Sequence, residues 1–123
     1  LDTILIYDGT NFRAGRDIER GSNANGEYVR FEDGTQFCMH DVTVGATDTA
    51  LGSIFGSTEV TWTFPIAFDS DSVPAVSANV NAGGRWTNVR NADHLSCLVR
   101  NFNAQTNAAS FANRMFAVGR WYN

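Results

Sequence analysis

The chain has 123 residues and a mass of 13.5 kDa, room for one ordinary domain. Hydrophobic residues make up 43% and charged residues 18%, which excludes a disordered tail. No apolar run approaches the roughly 18 residues of a membrane-crossing helix. The net charge is −4, and all nine basic residues are arginine. That argues against a nucleic-acid partner, which calls for a basic face, and for planar, bidentate bonding and stacking instead. Cys38 and Cys97 are too few for a bridged scaffold or a Cys-rich zinc site, and free buried thiols are expected. With Leu at position 1 and no secretory signal, the sequence is expected to be a fragment or a processed chain.

Residues 1–7 run Leu-Asp-Thr-Ile-Leu-Ile-Tyr, and Asp8-Gly9 predicts a short hairpin turn back into a strand around Phe12. Residues 14–26 are polar and irregular, ending in Gly-Ser-Asn-Ala-Asn-Gly, and read as a linker or as chain ordered only by a neighbour.

A second hairpin is predicted from Glu27-Tyr-Val-Arg-Phe-Glu32, the turn Asp33-Gly34, and Thr35-Gln-Phe-Cys-Met-His40. A two-residue turn pairs Arg30 with Phe37, Val29 with Cys38 and Tyr28 with Met39. One face then carries Val29, Phe31 and Cys38, the other Tyr28, Phe37 and Met39. A surface hairpin needs one apolar face only. The second is therefore expected to meet another subunit, with Tyr28, Phe37 and Met39 as interface candidates.

Residues 41–57 hold Gly, Ala, Thr and Ser without a sustained period and read as loop or extended connection. Val60, Trp62 and Phe64 alternate with Thr61 and Thr63, the pattern of a half-buried strand that Pro65 ends. Further strands are expected over 75–80, 85–90, 95–103 and 110–120. Trp121 and Tyr122 follow, costly to leave in water and expected to dock on a neighbouring subunit rather than to offer a second binding surface; Trp121 joins the interface candidates. Lysine is absent and glutamate scarce, so good helix formers for exposed faces are missing. The expected fold is all-β. It divides into an N-terminal hairpin and linker (1–26), a connecting hairpin and extended segment (27–57), and a six-stranded antiparallel β-sandwich (58–123).

Three features together resemble phage tail-fibre and virion-spike tips. Gly26-Glu-Tyr-Val-Arg-Phe-Glu-Asp-Gly-Thr-Gln36 is similar to hairpins that join a fibre shaft to its terminal domain. Phe64-Pro65-x-x-Phe68 with Pro74-Ala-Val76, and Phe102 with Met115-Phe-Ala-Val-Gly119, resemble the strand pattern of H-type lectins. The opening segment through Asn11-Phe12 is similar to shaft-proximal parts of phage fibres and gene-transfer-agent spikes. The resemblance implies a homotrimeric receptor-binding tip on a virion tail fibre or head spike, exposed to the medium. Its implied partners are an upstream fibre shaft and a bacterial cell-surface polysaccharide or lipopolysaccharide, with no cofactor and no membrane. The loop over 103–110 carries none of the aromatics with which H-type lectins hold their sugar, so that site does not carry over.

A glycan site needs an aromatic face and planar donors and acceptors for vicinal hydroxyls. The densest such cluster is Arg85-Trp86-Thr-Asn88-Val-Arg90-Asn91-Ala-Asp93-His94. Period two sets Trp86, Asn88 and Arg90 on one face, with Asp93 and His94 in the following turn. These five are the carbohydrate-binding candidates, against the alternative of a buried Trp86 and merely solvated arginines. Cys38, His40 and Asp41 do not make a complete metal-ligand set within one chain, and no metal is expected. No nucleophile, zinc-protease or phosphate-loop motif occurs. Asp69 and Asp71 read as a solvated turn rather than a glycosidase pair. A non-enzymatic adhesin is expected; the alternative is a structural cap that only trimerises a fibre.

Overall fold

The computed structural model describes residues 17–123 and, before them, the backbone of β1 (Leu5–Tyr7) and β2 (Phe12–Ala14). These two pair antiparallel, Tyr7 opposite Phe12. The Asp8-Gly9 turn expected between them lies outside the described residues.

Two antiparallel five-stranded sheets follow, and no helix occurs among the described residues. The first sheet holds β3 (Asp17–Asn23), β4 (Gly26–Phe31), β5 (Thr35–Val44), β12 (Phe111–Arg120) and β9 (Ala75–Val80), side by side in that order. In the second, β11 (Ser96–Asn103) is central. It has β10 (Arg85–Arg90) on one edge, and β8 (Val60–Thr63) and β7 (Ile54–Gly56) along the other; β6 (Thr49–Leu51) pairs β7.

The all-β antiparallel architecture is as expected, but the sandwich has ten strands rather than six. Residues 17–23 are not linker: β3 pairs along β4, and its polar residues hid it because an edge strand has few apolar positions to fill. Nor do residues 27–57 stand apart from the sandwich. β5 pairs with β12 from Thr35↔Arg120 to Val44↔Phe111. Within 41–57, β6 and β7 are three residues each, too short to show a period, and turn tightly between Leu51 and Ile54.

The second hairpin is shifted by one residue from its expected register. Its loop is the three residues Glu32-Asp33-Gly34. Gly34 N–H donates to the Phe31 carbonyl at 3.1 Å, Asp33 accepts from Thr35 N–H at 2.9 Å, and Gly34 sits at φ +95°. A type I turn followed by glycine at positive φ makes this loop. Arg30 therefore pairs with Gln36, Val29 with Phe37 and Tyr28 with Cys38, which exchanges faces. Tyr28 and Cys38 turn inward. Tyr28 packs against the core and its hydroxyl donates to Glu19 at 2.9 Å. It leaves the set of interface candidates for that reason.

Between the sheets lie Cys38, Val42, Val44, Met115 and Ala117 from the first and Trp62, Cys97 and Val99 from the second. Phe64 and Phe68, after β8, close one side, with Trp62, Phe64 and Phe68 stacked edge-to-face at 5.0 and 5.1 Å. The Trp62 indole N–H donates to the Asn25 carbonyl at 2.9 Å, so even the largest core ring has its polar atom satisfied. Both cysteines are free, and burial pushes each thiol up to about 11.

The C-terminal aromatics dock on their own chain. Trp121 Nε1–H donates to the Phe31 carbonyl at 2.8 Å, and the Arg30 guanidinium lies 5.0 Å over the indole. The Tyr122 hydroxyl donates to the Glu32 carbonyl. The contacts expected across a subunit boundary are thus made to the second hairpin of the same chain.

Candidate functional site

The two outward faces differ in chemistry. On the first sheet, strand alternation turns Phe31, Phe37, Met39, Phe116 and Val118 outward, with Val29 on the same face but buried. The Phe37 ring lies 5.1 Å from Phe31 and 5.3 Å from Phe116, a continuous aromatic row. Phe116 is 36% exposed. Phe37 and Met39, two expected interface residues, are both on this row's face.

On the second sheet, β10 turns Trp86, Asn88 and Arg90 outward, as period two requires, and Arg85, Thr87 and Val89 inward. Trp86 is 45% exposed, so it is not a core residue. The antiparallel register sets Phe102 opposite Trp86, Arg100 opposite Asn88 and Leu98 opposite Arg90. Trp86 and Phe102 stack at 6.0 Å with 29° between planes, and the Arg100 guanidinium lies 5.0 Å over Phe102. Gly56, opposite Phe102 on β7, makes room for this. A Cβ there would come within 2.7 Å of Arg100 Nη2 and of Leu51 Cδ1. Arg90 is committed to Glu59, with Nε and Nη2 donating to its two carboxylate oxygens at 2.5 and 2.6 Å. This hydrogen bonding from Arg90 is the main reason the Glu59 carboxyl is held below its usual range.

Asp93 and His94 are not part of this platform's strand. Asp93 Oδ1 accepts from Leu95 N–H at 2.8 Å and Ser96 N–H at 2.9 Å, fastening the turn between β10 and β11. The His94 carbonyl accepts from Phe68 N–H at 2.9 Å. The backbone bonds, Leu95 first, hold the Asp93 carboxyl below its ordinary range. A carboxyl depressed by folding stabilises above its unfolded pKa, and the contribution fades as pH falls through the folded value. Asp93→Asn keeps the acceptor and loses the titration. Its melting temperature is expected to fall less steeply than the parent's as pH drops below about 4. Equal slopes in melts at stepped pH would contradict the cap.

The side of β10 that faces inward anchors the platform. Arg85, 5% exposed, donates Nε–H to Asn101 Oδ1 at 2.7 Å and its terminal nitrogens to the carbonyls of Ala109, Val44 and Gly45. Asn101 and Asn113 exchange amide bonds at 2.7 and 3.1 Å, and Thr87 donates to Asn113 at 2.5 Å. Since Asn113 is on β12, this network joins the two sheets. The structure keeps the candidates Trp86, Asn88 and Arg90 on one face and sets Arg100, Phe102 and Glu59 beside them, which sequence reasoning did not single out as site residues. The alternation Leu98-Arg100-Phe102 against Cys97-Val99-Asn101 was the available signal. No group of three or more His, Cys, Asp or Glu gathers as metal ligands among the described residues. Asp69 sits at a turn, its carboxylate accepting from the Asn123 amide at 2.6 Å.

No protein-family profile and no curated protein matches this chain. Among solved structures, it is similar to a Pseudomonas aeruginosa R1 pyocin fibre structure comprising C-terminal residues 323–701. The TM-score is 0.58 at 18% identity, over 83% of this chain and 28% of that one. The chain thus spans just over a quarter of the pyocin fibre fragment, and what the two share is a fold.

Proposed function

We propose that the chain is the non-enzymatic receptor-binding tip of a fibre on a phage or phage-like particle. It holds a bacterial cell-surface polysaccharide or lipopolysaccharide on the outward face of its second sheet. The observation that carries this reading is the platform itself: a half-exposed Trp86 stacked on Phe102, flanked by Asn88 and Arg100. Aromatic faces take the C–H side of a sugar ring, and fork-shaped and amide groups take its hydroxyls. The fold likeness to a pyocin fibre supports a place on a fibre, and the H-type-lectin-like strand pattern is compatible with a sugar-holding tip.

Trp86 lies outside the core, so it is a clean probe. Trp86→Ala is expected to weaken host-cell or lipopolysaccharide binding by about tenfold or more, as loss of an exposed aromatic anchor does, with the melting temperature unchanged. Unchanged cell binding by a folded variant would remove the platform from the adhesive reading.

The aromatic row Phe31–Phe37–Phe116 favours a second component of the same reading, a homotrimer closed through the first sheet. Three weak sites held together raise avidity by about 10²–10⁴. A cap that trimerises a fibre without a ligand would use this row and leave Trp86 idle; the Trp86→Ala binding assay separates the two.

A further inference from the structure

The strands β10 and β11 carry three arginines whose hydrogen-bonding states differ. Arg85 is buried, and its guanidinium donates to Asn101 and to three backbone carbonyls. Arg90 has its fork filled by both oxygens of Glu59. The Arg100 guanidinium makes no hydrogen bond to any described residue, and its Nε is buried without a partner. Its guanidinium is held on the Phe102 ring at 5.0 Å, beside Asn88 and diagonal to Trp86. Diagonal cross-strand neighbours are about 7–8 Å apart, the breadth of a sugar ring.

We infer that the glycan held on this face carries a carboxylate, as in a uronic or ulosonic acid, and that Arg100 receives it while the sugar ring stacks on Trp86. The inference rests on the adhesive reading above. Glu59 binds Arg90 and also feels the charge of Arg100, so two guanidiniums face one carboxylate and leave the platform locally positive on a chain whose net charge is −4. An acidic polymer is then attracted to this face and repelled by the rest of the surface. A guanidinium seated on an aromatic ring is weakly hydrated and matches a carboxylate with two parallel bonds. Asn88, opposite Arg100, supplies an amide for a neighbouring hydroxyl.

The test is a panel of purified bacterial capsules and lipopolysaccharides containing uronic or ulosonic acids, each beside its carboxyl-reduced and its dephosphorylated form, probed with the intact chain. The expected result is binding to an acidic member that survives dephosphorylation and is lost on carboxyl reduction. Arg100→Gln should weaken that binding at least about tenfold, the cost of removing a charge-assisted bond, with an unchanged melting temperature. Glu59→Gln should strengthen it roughly two- to fivefold, since an exposed competing carboxylate is removed. Equal binding to reduced forms, binding to neutral glycans alone, or a loss that follows phosphate rather than carboxylate would overturn the inference and leave the adhesive reading standing. A chain that binds no polysaccharide or host cell would overturn the adhesive reading, and the inference with it.

Discussion

Replacing Arg85 by Ala is expected to lower stability by about 3–5 kcal/mol, at the upper end of what one substitution does. The guanidinium is the centre of a largely buried network. It gives hydrogen bonds to Asn101 Oδ1 and to the carbonyls of Val44, Gly45 and Ala109. Its ring-facing side lies 4.8 Å over Phe111. Truncation leaves a cavity and several acceptors without donors, each costing about 1–3 kcal/mol when buried. These costs share one cavity, and water entering it limits the total. Thermal melts should show a drop of more than roughly 10 °C. A loss of only a few degrees would mean that the buried polar network is not what fastens the two sheets. Arg85→Lys should recover little, because one ammonium does not reproduce the spread of a planar fork.

Phe37→Glu is expected to give folded monomers where the parent forms the proposed trimer. Phe37 is the middle ring of the outward row, between Phe31 and Phe116. Its side chain lies on the opposite face of β5 from Cys38 and the core. A carboxylate there in a closed interface is desolvated without a partner, at a cost of several kcal/mol per copy. In water, on a free sheet, it is nearly neutral. Sedimentation of the parent should give a trimer and of the variant a monomer with β-rich circular dichroism. A parent chain that sediments as a stable monomer at micromolar concentration would defeat the trimer reading.

Much of the fold was legible because strands that alternate apolar and polar residues are also half-buried. The spans 75–80 and 85–90 coincide with β9 and β10, and the Val60-Trp62 alternation with β8. Strands without that contrast were hidden. β3 is a polar edge strand, and β6 and β7 are shorter than two periods. The hairpin register failed on loop length. Asp33-Gly34 signals a turn equally well in a two-residue and a three-residue loop, and one residue decides which face Tyr28 takes.

The candidate site was half legible for a related reason. Period two along β10 placed Trp86, Asn88 and Arg90 together from sequence alone. Which residues stood beside them depended on pairing with β11, a non-local fact. Proximity along the chain drew in Asp93, whose carboxylate holds a turn, and passed over Arg100, ten residues from Arg90 in sequence and two strand positions from Arg90's own partner Leu98.

The position of β12 has a consequence for biosynthesis. It lies between β5 and β9 in the first sheet, with Thr35 paired to Arg120 and Val44 to Phe111. During translation β5 therefore waits, its edge open, until residue 120 has cleared the ribosome. Until then the nascent chain has the β3–β4–β5 meander and the strands of the second sheet, but β9 lacks its strand partner and the core residues Met115 and Ala117 do not yet exist. Long-range pairing of this kind folds slowly and leaves unpaired strand edges exposed meanwhile. A message truncated before β12 yields a product with an open edge at β5, a substrate for chaperones and proteases. Synthesis through β12 is thus the step on which closure of the first sheet depends.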